Sequence, residues 1–330
     1  MSNNDISAAY DVVIVGGGAA GLSGALVLAR SRRSVLVIDA GEPRNAPAAG
    51  VHNFLTRDGT PPAALLELGR AEVHGYGGQV LEGRVRSAAR QADGFSVTLD
   101  DRRVIAARRL LVATGLVDRL PDVAGVRERW GRDVLHCPYC HGWEVRDQAV
   151  GVLASGPRTV HLALLFRQLT SDIVVFTDKA AALTEEQSEQ LAARGVRVVE
   201  GRVVALEVED DHLTGVRMVD GTVVARQALV VGAPMVARSD VLASLGIEPT
   251  AHPLGLGEFI AADATGLTEV PGVWVAGNVS DPSATVIAAA AAGATAAAAI
   301  NADLVAEDTL AAVTARRNHG SPLGLARALR

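Results

Sequence analysis

The sequence predicts an α/β protein built from two Rossmann-like nucleotide-binding domains. Three observations carry this. A glycine triad lies between an apolar strand and a helix, a second strand-turn-helix start follows roughly 135 residues later, and short apolar runs alternate with helical segments along most of the 330 residues. A protein of that length has room for two domains of ordinary size, each with its own core.

The first element is "YDVVIVGGGAAGLSGALVLARSRRSVLVIDAGEPRN". It opens on the apolar run Val12 to Val15, turns on glycines, and continues with helical spacing through Leu22, Leu26 and Leu28. A second strand, Ser34 to Ile38, ends at Asp39, which completes a βαβ unit. Gly16, Gly18 and Gly21 form G-x-G-x-x-G in that unit. Gly16 permits the tight turn, Gly18 lets a pyrophosphate approach the backbone, and Gly21 lets helix and strand pack closely. The phosphates would sit at the helix start, where free N–H groups and the helix dipole favour negative charge. Asp39 is placed to accept from a ribose hydroxyl. The fingerprint alone leaves FAD and NAD both open.

Further along, "FSVTL" and "LLVATG" read as strands, the second ending on Gly115. "AVGVLASGPRTVHLALLFRQLTSDIVVFTD", Ala149 to Asp178, is the second strand-turn-helix. "LPDVAG", Leu120 to Gly125, reads as a crossing between domains, and the return crossing is expected near Gly246 to Leu256, where "GIEPTAHPLGL" concentrates Gly and Pro. A late "VPGVWVAGNVSDP" leads into the Ala-rich run Ala284 to Ile300. Ala contributes little to membrane insertion, so this run reads as a tightly packed interior helix rather than a membrane span. The basic, Gly/Pro-broken tail after Val313 is either a loosely held extension, the favoured reading, or a partner contact.

A net charge of -6 and a pI near 5.8 offer no concentrated basic face, which argues against nucleic acid as a partner. The N-terminus has no basic segment followed by a long apolar one, and two cysteines make no disulfide framework. A cytoplasmic location and no membrane partner are the expectation.

Those two cysteines, Cys137 and Cys140, stand in "HCPYCHGWE". A C-x-x-C pair can be redox-active, half of a metal site, or inert. Redox use needs a lowered thiol pKa, as at a helix start or beside a cationic His, and His136 and His141 flank the pair. Pro138 preorganises the turn and Tyr139 is a bulky cover. Zinc would need four nearly adjacent ligands to wrap one ion, and no second C-x-x-C exists. The string CPYC also occurs in glutaredoxins, but there it opens a small fold with no counterpart here. His52, His74, His161, His212, His252 and His319 show no metal spacing and read as surface or core filler, and Trp143 as packing. No metal site is expected.

In sequence order, "VVIVGGGAAGLSGAL", "LLVATG", the central C-x-x-C and "GVWVAGNV" before a small-residue helix resemble low-molecular-weight thioredoxin reductases. The resemblance runs from about Asp11 to Leu304. It implies two three-layer (ββα) domains: residues 1–118 and 246–330 as a discontinuous FAD-binding domain, and 119–245 as an NAD(P)H-binding-like domain that carries the redox pair. By the same resemblance, Gly16, Gly18, Gly21 and Asp39 would hold the ADP half of FAD. Asn53 would match an asparagine of the family's loop after the second strand, Thr114 and Gly115 would lie near the flavin, and Gly277 would let the ribityl phosphate approach. Asn278 replaces the family's carboxylate, and Thr285 changes a wall near the flavin. Cys140 would face the flavin and Cys137 would exchange with substrate. His141, where the family has Asp, would be the acid-base group, because an imidazole can take a proton from a dithiol near neutral pH. A homodimer is also implied.

The second turn departs from the family. Where a reductase needs G-x-G-x-x-A, the sequence has Ala154, Gly156 and Thr159, with Pro157 removing an N–H at the helix start. Where the family has basic residues for a 2′-phosphate, it has Thr177, Asp178 and Lys179. NADPH binding is therefore expected to be weak or absent, with NADH left open through Asp178. "CPYCHGWE" looks like the motif of thioredoxin-reductase-like dithiol oxidases that close disulfides in dithiolopyrrolone, epipolythiodioxopiperazine and related natural products. The favoured reading is oxidation of a dithiol (small molecule, peptide or thioredoxin-like protein) with oxygen as acceptor. A disulfide reductase using NADPH, NADH or another donor, and a non-enzymatic flavin redox sensor, are the alternatives.

Overall fold

The computed structural model describes residues 6–180 and 182–318. Its first half builds β1 (Ala9–Val15), α1 (Ala19–Arg30), β2 (Val35–Asp39), α2 (Pro62–Gly75), β3 (Gln79–Glu82), β4 (Val85–Gln91), β5 (Gly94–Leu99), β6 (Val104–Val112) and β7 (Leu116–Asp118). There follow α3 (Val126–Arg129), β8 (Val134–Leu135), α4 (Pro138–His141), β9 (Val150–Leu153), α5 (Thr159–Phe166), β10 (Ile173–Phe176), α6 (Glu185–Ala193), β11 (Arg197–Val199), β12 (Val203–Glu209), β13 (His212–Met218), β14 (Val223–Ala225) and β15 (Ala228–Val231). The last part contains β16 (Met235–Ala237), α7 (Asp240–Ala243), β17 (Thr250–Ala251), β18 (Glu258–Phe259), β19 (Val273–Val275) and α8 (Val286–Asn318).

Among the described residues, two parallel cores dominate. The first sheet runs β3-β2-β1-β6-β5-β4, with β19 joining β6 in parallel through Val273–Leu110 and Val275–Val112. The second runs β11-β10-β9-β15-β8, all parallel. Parallel strands covered on both faces are apolar throughout, and in the second sheet α5 and α6 cover one face while the antiparallel sheet β12-β13-β14 covers the other. Accordingly β9, β10 and β15 are buried at every position. Phe166 of α5 and Phe176 of β10 are fully buried on opposite faces of the second sheet, each contributing about 1.5–3 kcal/mol by burial alone. The buried clusters divide the same way. Two clusters draw on residues up to Ala113 and from Ala237 onward, and two draw on Val123 to Ala233.

The backbone passes between the two cores on β7 and back on β16, and these strands pair antiparallel with Asp118 opposite Met235. The return crossing therefore comes earlier than Gly246–Leu256. By Ala237, Val241 and Leu242 the backbone already packs in the first core. Of the Gly and Pro in "GIEPTAHPLGL", Pro253 and Gly255 shape the turn between the short strands β17 and β18, and Gly246 and Pro249 lie in the approach to β17.

α8 packs along α1 at close range. A Cβ on Gly293 would fall 1.9 Å from the carbonyl oxygen of Ala20, so only glycine allows this approach. Ala289, Ala296, Ala297, Ile300 and Leu304 are buried, yet Ile287 and Val305 are exposed, so α8 is only partly an interior helix. It is also long and apolar enough by composition to cross a membrane. Its C-terminal half is tied to β6 through Arg108 to Glu307 (2.7 Å) and to the turn between α1 and β2 through Arg33 to Asp308 (2.7 Å). The helix runs to Asn318, and the remainder of the basic tail, with His319, lies outside the described residues.

Candidate active site

β1 leads into the glycine turn, where Gly16 has φ +105° and its N–H donates to the Ile38 carbonyl at 2.8 Å. The Gly17 N–H donates to Asp39 Oδ1 at 3.0 Å, which fixes the carboxylate at the end of β2. A Cβ on Gly21 would lie 1.9 Å from the Gly16 carbonyl oxygen, so Gly21 serves helix–strand contact. Gly18 differs: a Cβ there would meet nothing within 4 Å. The space beyond it is a cavity of about 770 Å³ that runs from this turn to the two cysteines. The first-turn N–H groups of α1 have no intrahelical acceptor and open beside it. A diphosphate fits that cradle, and a dinucleotide fits the length of the cavity.

Thr114, Gly115, Gly277, Asn278 and Thr285 line the same cavity, whereas Asn53 does not. The Thr114 hydroxyl donates to the Arg238 carbonyl at 2.6 Å. The Asn278 amide donates to the carbonyls of Asp281 (3.1 Å) and Ala284 (2.9 Å), stapling the turn that leads into α8. A carboxylate could not donate there, which gives the Gly-Asn sequence a structural role of its own. Asn53, at φ +61°, is exposed, and its amide donates to the Tyr139 carbonyl between the two cysteines. Its observed partner is the C-x-x-C turn.

Cys137 and Cys140 are joined as a disulfide with Cα atoms 5.3 Å apart. Cys137 is the N-cap of α4, and the Cys140 and His141 N–H groups both donate to its carbonyl. His141 lines the cavity, and its Nε2 is buried with no hydrogen-bond partner among the described residues. Burial pushes its pKa below the ordinary histidine value, Glu144 opposes this, and His52 adds to it. A neutral ring with an open Nε2 beside a disulfide can take a proton from an incoming thiol. Among the described residues, no group of three or more His, Cys, Asp or Glu side chains is arranged to hold a metal ion.

His136 also lines the cavity, but its surroundings differ. Its ring stacks on Trp130 at 5.7 Å, and Arg44 Nη2 lies 3.2 Å from its Nε2. Burial, with Arg44 next, pushes its pKa down to about 3.

Sequence reasoning misses many of the polar cavity residues, among them Arg44, His52, Arg158 and His161. His52, read as filler, sits 3.4 Å from Glu144, and His161 and Arg158 come from the start of α5. None has a local pattern to announce it. Trp143, read as packing, is exposed and carries Arg146 over its ring at 4.3 Å.

A second cavity of about 560 Å³ lies over the second turn, with Lys179 its lone cation among the described lining residues. Asp178, at φ +47°, accepts the Val203 N–H on Oδ1 at 2.9 Å, and Thr177 accepts the Gly201 N–H at 3.3 Å. The helix here starts only at Thr159, beyond Pro157, and the Thr159 hydroxyl donates to the Gly156 carbonyl at 2.8 Å. Arg158, from the same turn, lines the first cavity instead.

A family model for pyridine nucleotide-disulphide oxidoreductases matches residues 10–297. The thioredoxin reductase tcpT of Claviceps purpurea (strain 20.1) is 30% identical over 299 residues, which is 84% of this protein and 88% of that one. Among solved structures, HlmI is 48% identical with a TM-score of 0.90, the match spanning 96% of this protein and 99% of that one. An oxidoreductase from Agrobacterium tumefaciens is 36% identical with a TM-score of 0.84, covering 90% and 98%. The protein belongs to the pyridine nucleotide-disulphide oxidoreductase family, as a thioredoxin reductase-like enzyme of its flavin-binding branch.

Proposed function

We propose that the protein oxidises a dithiol to a disulfide through Cys137 and Cys140, with FAD as its cofactor and oxygen as the final acceptor. The observation that carries this reading is the second cavity. One oxygen of the Asp178 carboxylate is already held by the Val203 N–H, its charge opposes a 2′-phosphate, and no arginine joins Lys179 among the described lining residues. A dithiol is then the electron source that the remaining machinery fits.

The backbone of Gly16 to Ala20 would hold the diphosphate of FAD and Asp39 its ribose hydroxyls, with Thr114, Gly115, Gly277, Asn278 and Thr285 as the wall of its far end. When bound, FAD supplies a two-electron acceptor that oxygen can reoxidise. The protein's own residues carry the exchange. His141 takes the proton of the first substrate thiol. The thiolate attacks Cys137 Sγ, the Cys137–Cys140 bond breaks, and Cys140 leaves with the electron pair. The second substrate thiol then displaces Cys137, which takes up its proton, and the substrate departs as a disulfide.

Anaerobic titration of the yellow protein tests the direction. Dithiothreitol should bleach the visible flavin band and NADPH should not, with air restoring the colour and releasing peroxide. Rapid bleaching by NADPH would make the protein a reductase. NADH keeps a second reading alive, because the other carboxylate oxygen of Asp178 accepts no bond from the described residues. His141→Ala should slow disulfide reduction by dithiothreitol about 10²- to 10³-fold near neutrality. Only the neutral ring accepts a proton, and its pKa is lowered. The wild-type-to-variant ratio should therefore be largest between pH ~6.5 and the thiol's own pKa near ~8.5, above which the thiolate forms unaided, and fall toward one as pH drops through the depressed value. A ratio independent of pH would exclude His141 as the base.

A cytoplasmic homodimer completes the proposal, supported by the exposed apolar positions of α8 such as Ile287; light scattering of the purified protein checks the assembly.

A further inference from the structure

We propose that Arg44 fixes His136 as a neutral ring protonated at Nδ1, so that the residue before Cys137 serves as a permanent N–H donor and never as a base. The geometry comes from four separate segments. Arg44 forks onto Asp118 of β7, with Nε to Oδ2 at 2.7 Å and Nη2 to Oδ1 at 2.6 Å. The Asp118 side chain is only 6% exposed, so this pair is held inside the protein. The same Nη2 reaches His136 Nε2 at 3.2 Å and Met235 Sδ of β16 at 3.6 Å. Trp130, stacked at 26° between planes, sets the orientation of the imidazole.

A guanidinium only donates and does not lose its proton in proteins. Nε2 must therefore present its lone pair to Arg44, and the ring's single proton sits on Nδ1. Protonating Nε2 would place two donors face to face. The charged and titratable groups around the ring agree: Arg44, His141 and Arg158 disfavour a positive imidazole, as does burial, and Asp118 alone favours one. Asp118 is already engaged by the Arg44 fork.

The two histidines flanking the disulfide thus have different work. His141, with an open Nε2, can gain and lose a proton. His136 keeps one charge and one tautomer throughout the cycle, offering an N–H to the cavity beside Cys137, the sulfur released in the second displacement. Arg44 acts through His136 and is a positioning residue. The inference rests on Cys137 and Cys140 being the redox pair but not on the direction of electron flow. It can fail while the oxidase reading stands, and the reverse.

Nitrogen-15 spectra of the histidine-labelled holoprotein test it, with His136→Asn giving the assignment. The wild-type ring should show a protonated Nδ1 and an unprotonated Nε2, unmoved as pH falls through the ordinary histidine range near ~6.5. In Arg44→Gln the midpoint should rise by at least about one pH unit, and the pH profile of disulfide reduction by dithiothreitol should gain a second ionisation. Arg44→Lys, still a pure donor, should restore the wild-type pattern. A wild-type His136 protonated on Nε2, or titrating near its ordinary value, overturns the proposal. So does an Arg44→Gln spectrum that matches wild type. If Arg44→Gln does not fold, the wild-type spectrum decides alone.

Discussion

Cys140→Ser should lower dithiol turnover by about 10³-fold or more while leaving the protein folded and yellow. A serine hydroxyl cannot share a bond with Cys137 that two electrons would break, so no disulfide remains to take electrons from a substrate and relay them to the flavin. The fold has little stake in the sulfur. The turn is held by backbone bonds from Cys140 and His141 to the Cys137 carbonyl, and from Gly142 to the Pro138 carbonyl at 2.9 Å. The disulfide closes a loop of sequence separation 3, too short to constrain the unfolded state much. Peroxide release with dithiothreitol in air, measured beside the melting temperature, separates lost chemistry from lost structure. Full activity in Cys140→Ser would remove every thiol-based account of this protein, oxidase and reductase together.

Gly18→Val should give a folded protein with at least about tenfold less bound flavin, whereas Gly21→Val should not accumulate as soluble protein. The two glycines stand in one turn and have opposite reasons to be there. A Cβ at Gly21 would overlap the Gly16 carbonyl and come within 3.4 Å of Ile14, so the helix would have to leave the strand. A Cβ at Gly18 meets no protein atom within 4 Å and enters only the space offered to the cofactor. Gly18 is extended, with φ -76° and ψ -173°, so valine fits its backbone. The measurement is the flavin-to-protein absorbance ratio together with the melting temperature. Gly18→Val should melt where flavin-stripped wild type melts, because both lose only the stabilisation that ligand binding adds. A normal flavin content in Gly18→Val would mean that the pyrophosphate does not pass this residue.

The contrast shows what a sequence can disclose. The glycine turn and the cysteine pair are local, since their geometry is set by residues a few positions apart, and both were legible. The two parallel cores were legible too, because strands buried on both faces read as unbroken apolar runs, as in β9, β10 and β15. Arg44 was not. Its partners Asp118 and His136 lie 74 and 92 residues away, and a single arginine in "EPRNAP" looks like any surface loop residue. His52 was hidden for the same reason, and Asn53 and Asn278 spend their amides on backbone carbonyls, which no spacing rule reveals. The return crossing was misplaced because Gly and Pro mark any sharp turn, and those there mark the approach to β17 and its turn to β18.

The pairing of β7 with β16 sets how the second core is attached to the first. With Asp118 opposite Met235, the two ends of the segment between them stand one strand spacing apart, about 5 Å. An entire second core thus hangs from what is otherwise an ordinary antiparallel hairpin. A tight turn would close the same hairpin, and an insertion at a hairpin tip leaves the host's strand order undisturbed. The same adjacency makes the segment an exchangeable cassette: a different redox module with closely spaced termini could be grafted there without rethreading the host.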